Sequence, residues 1–126
     1  RHPVADVGAV PVALLVVCPT VIDYLGQPPS EGSVGRSLRP QIEWERAPDR
    51  AVPTFHKDSS SIRKGKYRFI RYGDGTTQLF DLSKDWWQTR DLGAKHRDYG
   101  AMKKAHDDCC LEYGLDIAKA EAALAA

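Results

Sequence analysis

Four short groups of residues in this chain combine types that could do chemistry. The first is His56-Lys57-Asp58, which follows an apolar segment and precedes Ser59-Ser60-Ser61. An imidazole can donate to a polar group, and a lysine ammonium can offset the charge of an anion. The plainer reading is a solvated loop. The second is the basic cluster Arg63, Lys64, Lys66, Arg68 and Arg71, with Tyr67, Phe69 and Tyr72 interleaved. Basic groups beside stacking aromatics suit nucleic acid. Here strand alternation spreads them over two faces and acidic residues balance the charge, so no nucleic-acid partner is expected. The third is His106-Asp107-Asp108-Cys109-Cys110. His106 and Cys110 stand four apart, so one helical face can present both to a metal. A closed zinc site needs two further ligands, and no second pair at metal spacing follows. The expectation is therefore a charged helix face with its cysteines turned inward and no metal site. The fourth is Trp86-Trp87, either a platform for stacking sugars or a pair with one ring under a sheet and the other over a loop.

The frame that must position these groups is small. The chain has 126 residues, enough for one domain or part of a larger one, with a modest core. Hydrophobic residues make up 42% and charged residues 28%, with a formal net charge of +1, so bulk electrostatics do not argue for nucleic acid or acidic lipid. The apolar run Val10–Val17 is too short to span a bilayer and lacks the flanks of a signal peptide, so no membrane partner is expected. The three cysteines, Cys18, Cys109 and Cys110, are odd in number with two adjacent, a poor disulfide framework. The first residue is Arg1 rather than Met, which fits a piece of a longer polypeptide.

Along the chain, the β-branched apolar run Val10–Val17 predicts a buried strand. Pro19 then opens a short helix that Gly26 ends. Residues 27–35 form a loop, RSLRPQIEW is a short element of open type, and ERAPDR is a second loop. Residues 51–82 predict an antiparallel meander: AVPTFH as a strand with Pro53 favouring an edge, two strands joined at Lys64-Gly65, a turn at Gly73-Asp74-Gly75, and TQLFDL as the return strand. Asp85 reads as a helix N-cap with Gln88 at capping-box spacing. In the C-terminal third, Met102, Ala105 and Cys109 share a helical face that Gly114 interrupts, and a tail of high helix propensity follows. The fold class is α+β, a small antiparallel meander packed against helices. Residues 1–26 hold the first strand and helix, 27–50 a loop-rich connection, and 51–126 the sheet with the C-terminal helices.

Three of these stretches carry a resemblance. RKGKYRFIRYGDGTTQLFDLSKD followed by TRDL resembles the C-terminal part of the sulfatase family, within the alkaline-phosphatase superfamily, whose members often carry R-x-G-x-Y-K-Y-I, a turn, E-L-Y-D-L and D-P-x-E-x-x-N-L. VCPTVIDYLG is similar to the family's PTLLDLAG helix, and GSVGRSLRP to its G-x-S-L-x-P turn. The three stand in the family's order at similar spacing and cover roughly residues 10–95. FHKDSSSIRKGKYRF is similar to choline-sulfatase and arylsulfatase members. The chain departs from the pattern at Val16, where the family often has an acidic residue, and at Asp85-Trp86, where it has Asp-Pro.

The resemblance implies a parent hydrolase of sulfuric esters that uses formylglycine and a divalent cation, calcium. The family makes formylglycine from the Cys or Ser of Cys-x-Pro-x-Arg, and neither Cys18 nor Cys109 opens such a motif. The family's metal-binding Asp and Asn residues lie in an earlier α/β domain. The implied role is thus a C-terminal subdomain, itself non-catalytic and without cofactors, whose partners are the parent catalytic domain and, through it, a small sulfate ester. His56, Lys57, Asp58 and Arg63 are the candidate substrate-binding residues at the pocket mouth. A subdomain apart from its parent exposes surface it would bury, so self-association is expected. The alternatives are a phosphate or phosphonate ester hydrolase of the same superfamily, and a free-standing binding module.

Overall fold

A computed structural model describes residues 12–33, 35–43 and 50–125, and the chain divides at Pro48/Asp49 into two units. In the first, Leu14–Val16 makes a 3-10 turn that runs into helix α1 (Val17–Tyr24), and a single turn of helix, α2, spans Arg39–Ile42. The strand expected over Val10–Val17 is therefore absent from the described part of that run, whose residues from Leu14 on are helical. The cause is local. The Val16 N–H closes the 3-10 turn on the Ala13 carbonyl at 3.1 Å, and the Thr20 hydroxyl donates to the Val16 carbonyl at 2.5 Å across the first turn of the helix. Pro19 falls at the third helical position, where a missing N–H costs nothing. Gly26, at φ +65°, ends the helix as expected.

The two motif-like stretches of this unit meet. The Leu38 N–H donates to Thr20 Oγ1 at 2.9 Å, and Arg39 pairs with Asp23 at 3.3 Å. Gly35 lies so close to the Leu15 carbonyl that any Cβ there would overlap it. A glycine is thus required by approach rather than by φ. The loop ERAPDR lies outside the described residues apart from Arg50.

The second unit holds a four-stranded antiparallel sheet in the order β1 (Val52–His56), β2 (Ser59–Lys64), β3 (Tyr67–Arg71), β4 (Thr77–Asp81). Pro53, which has no N–H to give, lies on the marginal strand β1. The other margin is not open: Leu92 N–H donates to the Leu79 carbonyl and Leu79 N–H to Asp91 Oδ1, each at 2.9 Å. The register Val52↔Arg63↔Arg68↔Phe80 puts these four on one face, and Ile62↔Phe69↔Leu79 on the other.

That second face packs on helix α3 (Tyr99–Glu112). Ile62, Phe69, Leu79, Met102 and Cys109 form the core, with Tyr67, Leu92, Tyr99, Ala105 and Tyr113 around it. Met102, Cys109, His106 and Cys110 recur at helical spacing and are all buried. Gly114, at φ +83°, ends α3: its N–H reaches the Leu111 carbonyl at 3.0 Å, and that of Leu115 reaches Cys110 at 2.8 Å. Helix α4 (Ile117–Ala125) follows.

The helix expected from Asp85 is not formed. Gln88 has φ +54°, a left-handed backbone that ends any helix there, and α3 starts only at Tyr99. Asp85 instead closes a loop. Its carboxylate accepts the Thr89 N–H and hydroxyl, both at 3.1 Å, and the Arg90 N–H at 2.8 Å.

Candidate functional site

His56, Lys57 and Asp58 form the β1–β2 turn at one end of the sheet, and all three are exposed. Lys57 takes φ +53°, the left-handed conformation that a two-residue hairpin loop demands. The β3–β4 turn lies at the same end. Its Asp74 carboxylate accepts the Thr76 N–H at 2.9 Å and hydroxyl at 2.7 Å, and these bonds hold its pKa below the ordinary carboxylate value. Tyr72 and Gly75 close it through backbone bonds at 2.9 Å. The two turns abut: a Cβ on Gly73 would overlap the Asp58 carboxylate. The result is a small exposed platform with an imidazole, an ammonium and a carboxylate on one rigid hairpin, open to a polar or anionic group.

Arg63 is not part of that platform. Register pairs His56 with Ser59 and Val52 with Arg63, so Arg63 shares the face but stands four residues along, about 13 Å by strand rise. It is half-buried, and its Nε has no hydrogen-bond partner among the described residues. The rest of the basic cluster is dispersed as well. Arg68 lies beside Arg63, Arg71 is on the α3 face and buried at 3% exposure, and Lys66 pairs with Asp81 at 3.1 Å.

A buried constellation joins groups that linear spacing kept apart. Ser60 Oγ lies 2.8 Å from His106 Nε2, and His106 Nδ1 lies 2.9 Å from Asp107 Oδ1. Cys110 Sγ lies 3.5 Å from the same Nε2, and the Phe69 ring centroid is 5.1 Å from that of the imidazole. With Asp107 ionised, Nδ1 carries the proton and donates to it, which leaves Nε2 to accept from the serine hydroxyl. Burial lowers the His106 pKa, and Asp107 opposes that shift. The order Ser–His–Asp is that of a nucleophilic relay. Yet Ser60 is 6% and His106 0% exposed, so no substrate reaches Oγ and the set acts as a polar tie between β2 and α3.

The pairing of His106 with Cys110 was visible in the sequence. Ser60 was not, because only the folded meander brings it across. Burial pushes the Cys109 thiol up to about 11 and raises that of Cys110 as well, which disfavours the thiolate at both. Among the described residues no group of three or more His, Cys, Asp or Glu is placed to hold a metal ion.

Trp86 and Trp87 depart from the expectation that one would be covered. They are 62% and 84% exposed, at the tip of a turn closed by Gln88 N–H to the Asp85 carbonyl at 3.2 Å. Asp85 ties a loop instead of capping a helix, and both rings on that loop are exposed.

No family model matches this chain. Among curated proteins it is similar to arylsulfatase K of zebrafish, Danio rerio, with 32% identity over 104 residues, which is 71% of this chain and 20% of the relative. Among solved structures, BT4656 in complex with its substrate D-glucosamine-2-N,6-O-disulfate shares the fold at a TM-score of 0.65 and 16% identity, over 79% of this chain and 24% of that one. The phosphonate monoester hydrolase of Agrobacterium radiobacter shares it at a TM-score of 0.53 and 22% identity, over 76% of this chain and 23% of that one. The chain thus spans a fifth to a quarter of the length of the proteins it matches. The meander backed by α3, the helix–turn pair of the first unit and the match to arylsulfatase K agree: the chain resembles the C-terminal part of sulfatases.

Proposed function

We propose that this chain is the C-terminal subdomain of a hydrolase of sulfate esters, that it packs against the catalytic domain, and that the His56–Asp58 turn lines the mouth of the pocket. The observation that carries the reading is the 32% identity to arylsulfatase K over most of the chain. The fold shared with BT4656, whose substrate is a disulfated glucosamine, supports a sulfated sugar as the substrate class.

The nucleophile and cation that such a hydrolase requires do not fit the described residues of this chain. Its buried thiols are held protonated, the exposed Cys18 is followed by Pro-Thr-Val-Ile rather than x-Pro-x-Arg, and no metal-ligating cluster is present among those residues. The contribution assigned to this chain is positional. His56 and Lys57 offer donors to a polar headgroup or to sulfate oxygens, and Asp58, wedged against Gly73, fixes the hairpin that carries them. The second reading, a phosphate or phosphonate ester hydrolase, is favoured only by the fold shared with the phosphonate monoester hydrolase.

The test is an assay of the full-length polypeptide that contains this chain, with an aryl sulfate and an aryl phosphonate side by side, and with the 126-residue chain alone as control. Turnover of the sulfate by the full-length protein and none by the chain is the expected pattern. Preference for the phosphonate moves the assignment to the second reading. In the full-length protein His56→Ala should lower kcat/KM by about tenfold to a hundredfold, the loss of one polar contact, with stability unchanged. An unaltered kcat/KM for every accepted substrate removes His56 from the pocket.

A further inference from the structure

The described residues 83–97 make a long, well-bonded loop between β4 and α3, and its polar groups are used unevenly. The acidic side chains in and beside it all accept hydrogen bonds from the loop or from the sheet. Asp85 takes the Thr89 and Arg90 amides, and those bonds lower its pKa. Asp91 takes the Leu79 and Gly93 amides, each at 2.9 Å. Asp98 takes the Tyr67 hydroxyl at 2.7 Å and Arg97 at 3.2 Å. The cations Lys84 and Arg90 stay exposed and enter no ion pair among the described residues. They flank the turn that lifts Trp86 and Trp87 into solvent, and the Arg90 backbone is folded back onto Asp85 at its base. Two neighbouring indoles at 62% and 84% exposure are costly to leave in water, since aromatic rings are ordinarily used for burial. The turn is also strained, with Gln88 left-handed at φ +54°. Two exposed rings on one turn, with two exposed cations in the same loop, present apolar and cationic groups together to an anionic ligand.

We propose that Trp86, Trp87, Lys84 and Arg90 form an auxiliary binding site for sulfated polysaccharide, separate from the His56–Asp58 turn. The indole faces stack on the C–H faces of pyranose rings, and the cations pair with sulfate groups. The loop starts at the end of β4 remote from the His56 hairpin, since Asp81 pairs with Tyr67 beside the β2–β3 turn. A chain bound there is held by a second point of attachment, which raises its effective concentration near the enzyme. The choice of a sulfated saccharide over other anionic ligands rests on the sulfate-ester reading above. The existence of the site does not.

The experiment is calorimetric titration of the 126-residue chain with heparin, with N- and O-desulfated heparin and with neutral dextran, at several salt concentrations. Expected are binding to heparin, at least tenfold weaker binding to the desulfated form and none to dextran. In Trp86→Ala/Trp87→Ala the affinity should fall at least tenfold with the far-ultraviolet spectrum unchanged, since both rings are exposed, and Trp86→Tyr/Trp87→Tyr should restore most of it. Lys84→Glu/Arg90→Glu should weaken binding and flatten its salt dependence. Absence of heparin binding overturns the proposal, as does affinity unchanged in the double alanine variant. Tighter binding of a single-stranded oligonucleotide than of heparin, or association of copies that the double alanine variant abolishes, overturns it in favour of another occupant. Hydrolysis of a small aryl sulfate by the full-length protein is read separately. If it is present while heparin binding is absent, only the auxiliary site fails. If heparin binds without such hydrolysis, only the sulfate-ester reading fails.

Discussion

His106 is the residue where burial and charge oppose each other most directly. Its ring is inaccessible, burial lowers its pKa, and Asp107 pulls the other way without prevailing. The unfolded chain therefore takes up this proton first as pH falls. Below the ordinary histidine value of about 6.5 the unfolded state binds more protons, so stability decreases with falling pH until the folded pKa is reached. Asp74, Asp81, Asp85, Asp98 and Asp107 have lowered values, and their contribution is lost in a separate window as pH falls below the ordinary aspartate value of about 3.9. Urea titrations across pH should show two acid steps, and His106→Gln should abolish the upper one alone. A single step below pH 4 in the unmutated chain contradicts the buried neutral imidazole. This tie was half legible from sequence. His106 and Cys110 follow from helical spacing, whereas Ser60 reaches the ring from 46 positions away and nothing local announces it.

At the scale of elements, legibility followed the clarity of the local signal. Lys64-Gly65 and Gly73-Asp74-Gly75 demand turns, alternation over Tyr67–Arg71 demands a strand, and all four strands stand where those signals put them. Two elements failed for stated reasons. An unbroken apolar run has no period to separate strand from helix, and here the backbone turn from Ala13 to Val16 leads it into the helix that carries Pro19 in its first turn. The Asp85…Gln88 spacing is shared by a capping box and by a loop that a carboxylate ties from inside, and the left-handed Gln88 selects the loop. The loop can be tested as a unit. Asp85→Ala removes the acceptor of the Thr89 and Arg90 amides, so their hydrogen exchange should accelerate by about tenfold or more while Phe69 and Leu79 amides keep their protection. Equal acceleration throughout would make Asp85 a determinant of the whole sheet instead.

The whole molecule carries more apolar surface than a free subdomain needs. In the first unit Leu14 is 90%, Val17 57%, Val21 53% and Leu25 67% exposed. Covering a few hundred Å² of such surface contributes several kcal/mol at ~25 cal/mol per Å², comparable with the stability of a small domain. The chain apart from a covering domain should therefore bind a hydrophobic dye and self-associate. Leu14→Lys/Val21→Lys should suppress both while the sheet keeps its cooperative unfolding. A dye-silent monomer at high concentration argues for a free-standing module. The surface was legible as an apolar run, but its helical form was not, and the form decides which residues face out together.

The unequal margins of the sheet limit what such association can build. A sheet with two open margins recruits a neighbour on each side, and copies then add without end. Here Asp91 and Leu92 already occupy the hydrogen-bonding groups of Leu79 at the middle of β4, so that stretch of the margin takes no further strand. A pairing of copies through β1 would set β1 against β1 about a two-fold axis. The covered middle of β4 thus works against open-ended growth, because a strand added there would have to displace Asp91 and Leu92.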